Sequence, residues 1–585
     1  MISKELRKNF LLFFEKNGHK IVPSSSLIPD DPSCLFTTAG MQQFKSYYLG
    51  KKSPHGPNVA SCQKCFRTSD IEEVGDESHL TFLEMLGNFS FTRTIVKGKD
   101  EDLSSSPGGY FKEEAINYAY ELLNSRFQIP KSKMIITIFA GDKKVPPDKE
   151  SERIWEKIGF SKKKGNLQYK GREDNFWGPT GEEGPCGPTT EIYIAGIELW
   201  NLVFNEYYQD KQGKLTLLKK KGVDTGMGLE RLAMIMQNKP DVYKTDLFEP
   251  IINELRIRNY ELRNIKAERI IADHIKSAVF LISEGVFPSN VERGYIVRRI
   301  LRRAIRYGKL LNLPKNFLIP LAQKTIEIYQ DTYQELKSKE TDTLTIIQKE
   351  TEKFEKTLEK GLKEFESELK HCKLKEEKVV SAKVAFNLYQ SYGFPLELTK
   401  ELAQERGLGV DEAGYEEEFQ KHQKISRAGA EKKFGGLGLR ANYSAIKLHT
   451  ATHLLCQALR EILGKNVKQM GSDITSQRLR LDFSHSQKPS QEEIKKVEDL
   501  VNQKIKEDLE VKKEAMSYQE ALKSGALAFF REKYPQKVTV YTIDNFSKEI
   551  CAGPHVKRTS ELGRFKIIKE ESSGAGVRRI RATLK

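Results

Sequence analysis

The sequence predicts an α+β protein of several domains, and three observations predict it. Over residues 1–250, helical periods are interrupted by short β-like runs such as Met134-Ile135-Ile136-Thr137-Ile138-Phe139. Over 251–440 the pattern is helical almost throughout, with Ile347, Phe354, Leu358, Leu362, Phe365 and Leu369 at spacings of three, four or seven, as in an amphipathic or coiled helix pair. The glycine-rich Lys433-Phe434-Gly435-Gly436-Leu437-Gly438-Leu439 then marks a linker, and a third segment, 441–585, mixes helix with strand-like runs such as Val538-Thr539-Val540-Tyr541-Thr542-Ile543.

Composition bounds the function. At roughly 100–200 residues per domain, 585 residues give room for about three to five domains. The formal net charge of +16 points to a polyanionic partner. The run Arg298-Arg299-Ile300-Leu301-Arg302-Arg303-Ala304-Ile305-Arg306 places arginines three and four apart on one helix face, which the sequence predicts to meet phosphates with an apolar face behind. Seven scattered cysteines, an odd number, argue for a reducing compartment, the cytoplasm, and against a disulfide framework. The apolar run Phe10–Phe14 is too short for a signal core, and no stretch approaches the roughly 20 apolar residues of a membrane span. No membrane partner is expected.

Two pairs of ligand-type residues stand near the C-terminus. His449 and His453 are four apart, so on a helix they share a face and offer two imidazoles to one ion. Cys551 and His555 follow the strand-like run, and Gly553-Pro554 between them can turn the chain tightly enough to aim both at the same ion. Together they predict one Zn²⁺ site. Upstream, Val223-Asp224-Thr225-Gly226-Met227-Gly228-Leu229-Glu230-Arg231 combines small residues, which let a nucleotide approach the backbone, with an arginine that forks onto phosphate. Cys62 and Cys65 form a CxxC with no second pair and no histidine cluster to complete it, and are read as a chance pair.

The C-terminal motifs resemble those of the editing domain of alanyl-tRNA synthetases, written HSATHLL and CGGTHV and followed by a GxFKIxxE…AGVRRI run. Here that run is Gly563-Arg564-Phe565-Lys566-Ile567-Ile568-Lys569-Glu570 and Ala575-Gly576-Val577-Arg578-Arg579-Ile580. Pro554 replaces the family's usual Thr and Ala552 a Gly. The resemblance covers nearly the whole chain. Leu35–Lys45 resembles motif 1 of class II synthetases, Cys65-Phe66-Arg67 through Phe91 motif 2, and Val223–Arg231 motif 3 in its alanyl form.

The resemblance implies a class II antiparallel-sheet catalytic domain (1–250), a helical tRNA-recognition domain (251–440) and an α+β editing domain (441–585). A β-barrel segment and a further C-terminal domain of larger members are missing from this pattern, so a compact and monomeric form is expected. Arg67 would hold the α-phosphate of ATP and Arg231 the γ-phosphate, with Gly226 and Gly228 beside the nucleotide and Mg²⁺ sharing the charge. Asp224 would grip the ammonium of L-alanine, and Met41, Trp177 and Val203 would wall a pocket for its methyl. Asn290 and Gln390, the latter where the family has Asp, would read the acceptor stem of tRNA(Ala) with Arg298 and Arg302 nearby. Thr452 and Gln469 would line the editing pocket. Such a second site has a physical reason: a small pocket rejects an added hydroxyl, as in serine, only about 10²-fold.

Overall fold

Alternating apolar residues in the N-terminal half build long strands whose two faces are both covered. The computed structural model describes residues 1–94, 109–257, 264–375, 378–422, 442–465, 467–485, 487–528, 536–574 and 577–585. The N-terminal strands are β1 (Lys20–Ile21), β2 (Asn58–Phe66), β3 (Phe82–Thr94), β4 (Met134–Phe139), β5 (Leu167–Lys170), β6 (Phe176–Trp177), β7 (Gly184–Ile194), β8 (Ile197–Gln209) and β9 (Leu215–Gly228). They form one sheet in the order β1-β2-β3-β9-β8-β7-β4-β5, with β6 paired to β7. Its centre is antiparallel, and only the β1–β2 and β4–β5 pairs are parallel. This is the antiparallel-sheet catalytic fold expected from the sequence. The Met134–Phe139 run is strand β4 as predicted.

The sheet lies in a unit comprising Met1–Glu364 and Tyr392–Leu398; Phe365–Ser391 and Thr399–Lys585 form a second unit. This division differs from the three segments drawn from sequence, for a visible reason. The helix Ile265–Ser283, placed by sequence in a helical domain, packs on the sheet. Phe280 stacks on Phe82 with ring centroids 3.9 Å apart, and the backbone N–H of Thr81 donates to Asp273 at 2.9 Å. Lys276 on the same helix reaches Glu230 at 2.8 Å, and Arg7 from the first helix, Ser3–Lys16, forks onto Glu84 of β3 at 2.9 and 2.7 Å. Removing one partner of such a buried pair costs about 3–5 kcal/mol, so these helices and the sheet form one core. The expected helix pair at Ile347–Leu369 is a single helix, Glu340–Lys375, divided between the units. Its apolar stripe is buried as predicted at Ile347, Phe354, Leu358, Phe365 and Leu369.

In the second unit, β10 (Val379–Val380) pairs with β11 (Gly409–Val410). Beyond the linker, which lies outside the described residues, β12 (Gln469–Ile474), β13 (Leu479–Ser484), β17 (Phe565–Gly574) and β18 (Val577–Leu584) make an antiparallel sheet in the order β12-β13-β18-β17. The helices Tyr443–Leu463 and Gln491–Lys506 share its core: Leu454, Leu455, Val497 and Val501 meet Leu481, Phe483, Phe565 and Ile580. A second antiparallel sheet, β14-β15-β16, is made by Val511–Ser517, Lys537–Ile543 and Ser547–Ile550.

Candidate active site and candidate metal centre

A pocket of about 280 Å³ opens on the sheet of the first unit, and period-2 alternation decides which residues face it. Asp224, Gly226 and Gly228 fall on one face of β9 and all line the pocket, whereas Val223, Thr225 and Met227 are buried in the core. Val203 of β8 pairs directly with Asp224, and Trp177 of β6 and Arg67 also line the wall. A side chain at Gly226 would put its Cβ 2.9 Å from the sulfur of Met85, so a substitution there would displace the Met85 side chain. Arg231 stands in the first turn of the helix Leu229–Met236, donates through Nη1 to the Glu198 carbonyl at 2.8 Å and pairs with the Glu198 carboxylate at 3.3 Å. Arg67 donates through Nε to the Thr38 carbonyl at 3.3 Å. Both guanidiniums are thereby anchored at one end and border the pocket.

Burial alone pushes the Asp224 carboxyl up to about 8. Glu191 is pushed up to about 7 by burial and then by Glu198; both carboxylates line the pocket. Sequence reasoning missed these two acids. Their signal was an inward-facing position on strands β7 and β8. Met41, expected on the wall, packs instead in the core cluster with Met85, Phe89 and Trp177, where its sulfur receives the Thr180 hydroxyl at 3.3 Å. Cys62 and Cys65 are buried on β2, and burial raises both thiols, Cys65 to about 12.

The arginines of the helix Glu292–Leu310 require a correction. Arg298 and Arg302 are 8% and 5% exposed and turn inward, not toward solvent phosphates. Arg302 reaches one Glu350 oxygen at 2.8 and 2.5 Å, and Arg298 reaches the same oxygen at 3.1 Å. Arg302 also donates to the Gly393 carbonyl, and Arg298 to the Pro288 carbonyl and Asn290 Oδ1. A basic helix face looks the same in sequence whether it meets phosphate or a buried carboxylate; Glu350, about fifty residues away in sequence, decides it. Asn290 lies in the first unit, while Gln390 lies exposed on the turn Leu388–Tyr392 in the second.

In the second unit, the helix Tyr443–Leu463 carries His449 and His453 on one face, as their spacing predicts, and the segment after β16 brings Cys551 and His555 to them. Each of the four offers one ligand atom within 4.8 Å of the others. The turn fits closely: a Cβ on Gly553 would lie 2.4 Å from Cε1 of His449. Burial lowers the pKa of all three imidazoles, His453 to about 3, and raises the Cys551 thiol to about 11. Neutral imidazoles are the form a metal requires. His555 Nε2 is buried with no hydrogen-bond partner, so the donor set fits a cation. Thr452 is buried on the same helix and donates to the Leu448 carbonyl at 2.9 Å; Gln469, opening β12, donates to Ser472 at 3.1 Å.

Comparison with known proteins closes the case for the family. The family described as tRNA synthetases class II (A) matches residues 5–491, and that described as the threonyl and alanyl tRNA synthetase second additional domain matches 538–581. An alanine–tRNA ligase of Borrelia hermsii is 45% identical across 99% of this chain and 99% of its own length. The chain belongs to the alanyl-tRNA synthetase family. Another alanyl-tRNA synthetase, from Treponema pallidum, is 45% identical over 99% of this chain and 98% of its own. A third, from a Thermotoga species, is 39% identical over the whole of this chain and 80% of its own length. Among the described residues, no helix of this synthetase is long and apolar enough to cross a membrane.

Proposed function

We propose that this chain activates L-alanine with ATP, transfers it to the 3′ end of tRNA(Ala), and removes serine or glycine attached there in error. The observation that carries the first step is Asp224: a deeply buried carboxylate that lines the same pocket as Val203 and the two phosphate-type arginines is a receptor for an ammonium group. A carboxylate oxygen of alanine attacks the α-phosphorus, a P–O bond forms, and the bond to pyrophosphate breaks. Two anions must meet, so fixed cations that cost no reorganisation stabilise the charge built up at transfer. Arg67 serves at the α-phosphate and Arg231 at the γ-phosphate. Trp177 and Val203 leave room for a methyl, with Met41 supporting Trp177 from the core.

Glu191 and Glu198 offer the oxygen donors that suit Mg²⁺ brought with ATP. Mg²⁺ would supply neutralisation of phosphate charge. In the second unit, His449, His453, Cys551 and His555 would hold one Zn²⁺, which supplies Lewis acidity or orientation near the ester to be cleaved. Thr452 and Gln469 are proposed for the editing pocket. Asn290 and Gln390 are proposed, each within its own unit, for the acceptor stem.

The deciding experiment is exchange of pyrophosphate into ATP in the presence of single small amino acids. Alanine should support the fastest exchange. Exchange driven by another amino acid but not by alanine would refute the substrate.

A further inference from the structure

The zinc reading leaves open which nitrogen of each imidazole turns to the ion and what holds the rings. The hydrogen bonds answer both. His449 Nδ1 is 3.1 Å from the Pro554 carbonyl, which can only accept, so the proton sits on Nδ1; its Nε2 faces the Cys551 sulfur at 3.4 Å. His555 Nδ1 is 3.2 Å from Thr450 Oγ1. That hydroxyl donates to the Ile446 carbonyl at 3.3 Å and accepts from the Val556 N–H at 3.2 Å, so toward His555 it is left as an acceptor. A proton on Nδ1 of His555 completes this set and leaves its buried Nε2, the atom without a protein partner, free of a buried unsatisfied N–H. His453 Nδ1 faces Glu549 Oε2 at 3.2 Å, without the alignment of a finished hydrogen bond, and both side chains are buried. Ser547 donates to the other oxygen of Glu549 at 3.3 Å. All three rings thus face an oxygen on the Nδ1 side, each from a different residue.

We infer that Thr450 and Glu549 are positioning residues of the metal centre, fixing His555 and His453 with Nε2 as ligand atom while the Pro554 carbonyl fixes His449. This rests on the zinc reading. It adds residues outside the ligand set and a definite tautomer for each ring. Outer groups of this kind typically change metal affinity about 10–100-fold when removed.

The test uses the full-length protein, with zinc competed against a chromophoric chelator and folding followed by circular dichroism. Thr450→Val and Glu549→Met should each weaken zinc about 10–100-fold. Thr450→Ser should restore affinity to within about threefold, and Glu549→Gln, which keeps an acceptor oxygen toward His453, should fall between. Wild-type affinity in folded Thr450→Val and Glu549→Met would overturn the inference. A wild-type protein that binds no zinc would overturn the zinc reading and this inference with it. Should the apolar variants fail to fold, histidine ¹⁵N spectra of the zinc-loaded wild type decide: all three rings should be protonated at Nδ1 and metallated at Nε2. Metallation at Nδ1 of any of the three rejects the scheme.

Discussion

The two candidate sites solve the same problem with opposite charge. In the first unit, a buried carboxylate, Asp224, is held where ionisation is costly and a cationic ligand would relieve it. In the second, three imidazoles are held neutral by burial, and a cation is what their lone pairs can share. The construction differs more than the chemistry. The pocket comes from strand register: Asp224, Gly226 and Gly228 are placed by alternation, and Val203 by its pairing across β8–β9. The metal cluster comes from long-range closure, a helix face meeting a turn about a hundred residues later in the chain. A site built by register tolerates loss of one side chain without losing its shape, whereas a site built by closure also depends on the groups that aim its ligands.

The largest effect expected from this contrast is kinetic and confined to the pocket. Arg231→Ala and Arg67→Ala should each lower alanine-dependent pyrophosphate exchange by about 10²–10³-fold, because each removes a fixed cation from a charged transition state. Both variants should fold, since the register of the sheet does not depend on either side chain. Undiminished exchange in both folded proteins would remove these arginines from the mechanism. At the second site, Cys551→Ala should weaken zinc at least about a hundredfold, since a ligand matters more than its outer supports. Release of serine from seryl-tRNA(Ala) should fall with the metal, while alanine-dependent exchange stays within about twofold. Loss of exchange in step with zinc would show that the two sites do not work independently.

Asp224 gives an effect of intermediate size with a definite sign. Its folded value of about 8 lies above the ordinary 3.8, so between those values the folded chain keeps a proton that the unfolded chain releases, and this group opposes folding more as pH rises. Alanine requires the ionised form. Its KM in exchange should therefore fall as pH rises from 6 toward 8, by up to about tenfold per unit on the acid side. Asp224→Asn should raise that KM about 10–100-fold, leave the KM for ATP within about threefold, and flatten the pH dependence. A variant that keeps the slope assigns the titration to another group of the pocket, such as Glu191 with its value of about 7.

Much of this was legible in the sequence where the signal is local. The helical spacing of His449 and His453 and the strand at Met134–Phe139 are short-range patterns, and each stands in the structure as its pattern predicts. What the sequence did not disclose depends on partners far along the chain. The arginines at 298 and 302 looked like a phosphate-binding face because Glu350, which takes them inward, is about fifty residues away. The helix Ile265–Ser283 looked like part of a helical domain because its packing on the sheet through Phe82, Thr81 and Glu230 leaves no periodic mark. Glu191, Glu198, Thr450 and Glu549 were missed for a related reason. Single polar residues acquire a role only when folding sets them beside another group.

The smallest effect expected is at Pro554, one of the residues that depart from the family pattern. Pro554 stands where Thr is usual, beside His555 and against His449 of the proposed metal centre, so a large change there would be the first guess. The structure argues otherwise. Pro554 touches His449 through its backbone carbonyl, 3.1 Å from Nδ1, and any residue supplies that carbonyl. What proline removes is a backbone N–H and, with it, freedom at one dihedral. The closer constraint on the turn is its neighbour Gly553, where a Cβ would collide with the His449 ring. Pro554→Thr should accordingly keep zinc affinity within about threefold, well below the 10–100-fold expected for groups that aim a ligand. Gly553→Ala should cost more than that, because the turn must open to admit the methyl. Both are read by the same chelator competition. If Pro554→Thr shifts zinc affinity tenfold or more while Gly553→Ala leaves it unchanged, the turn is set by the proline ring and not by the close approach at glycine.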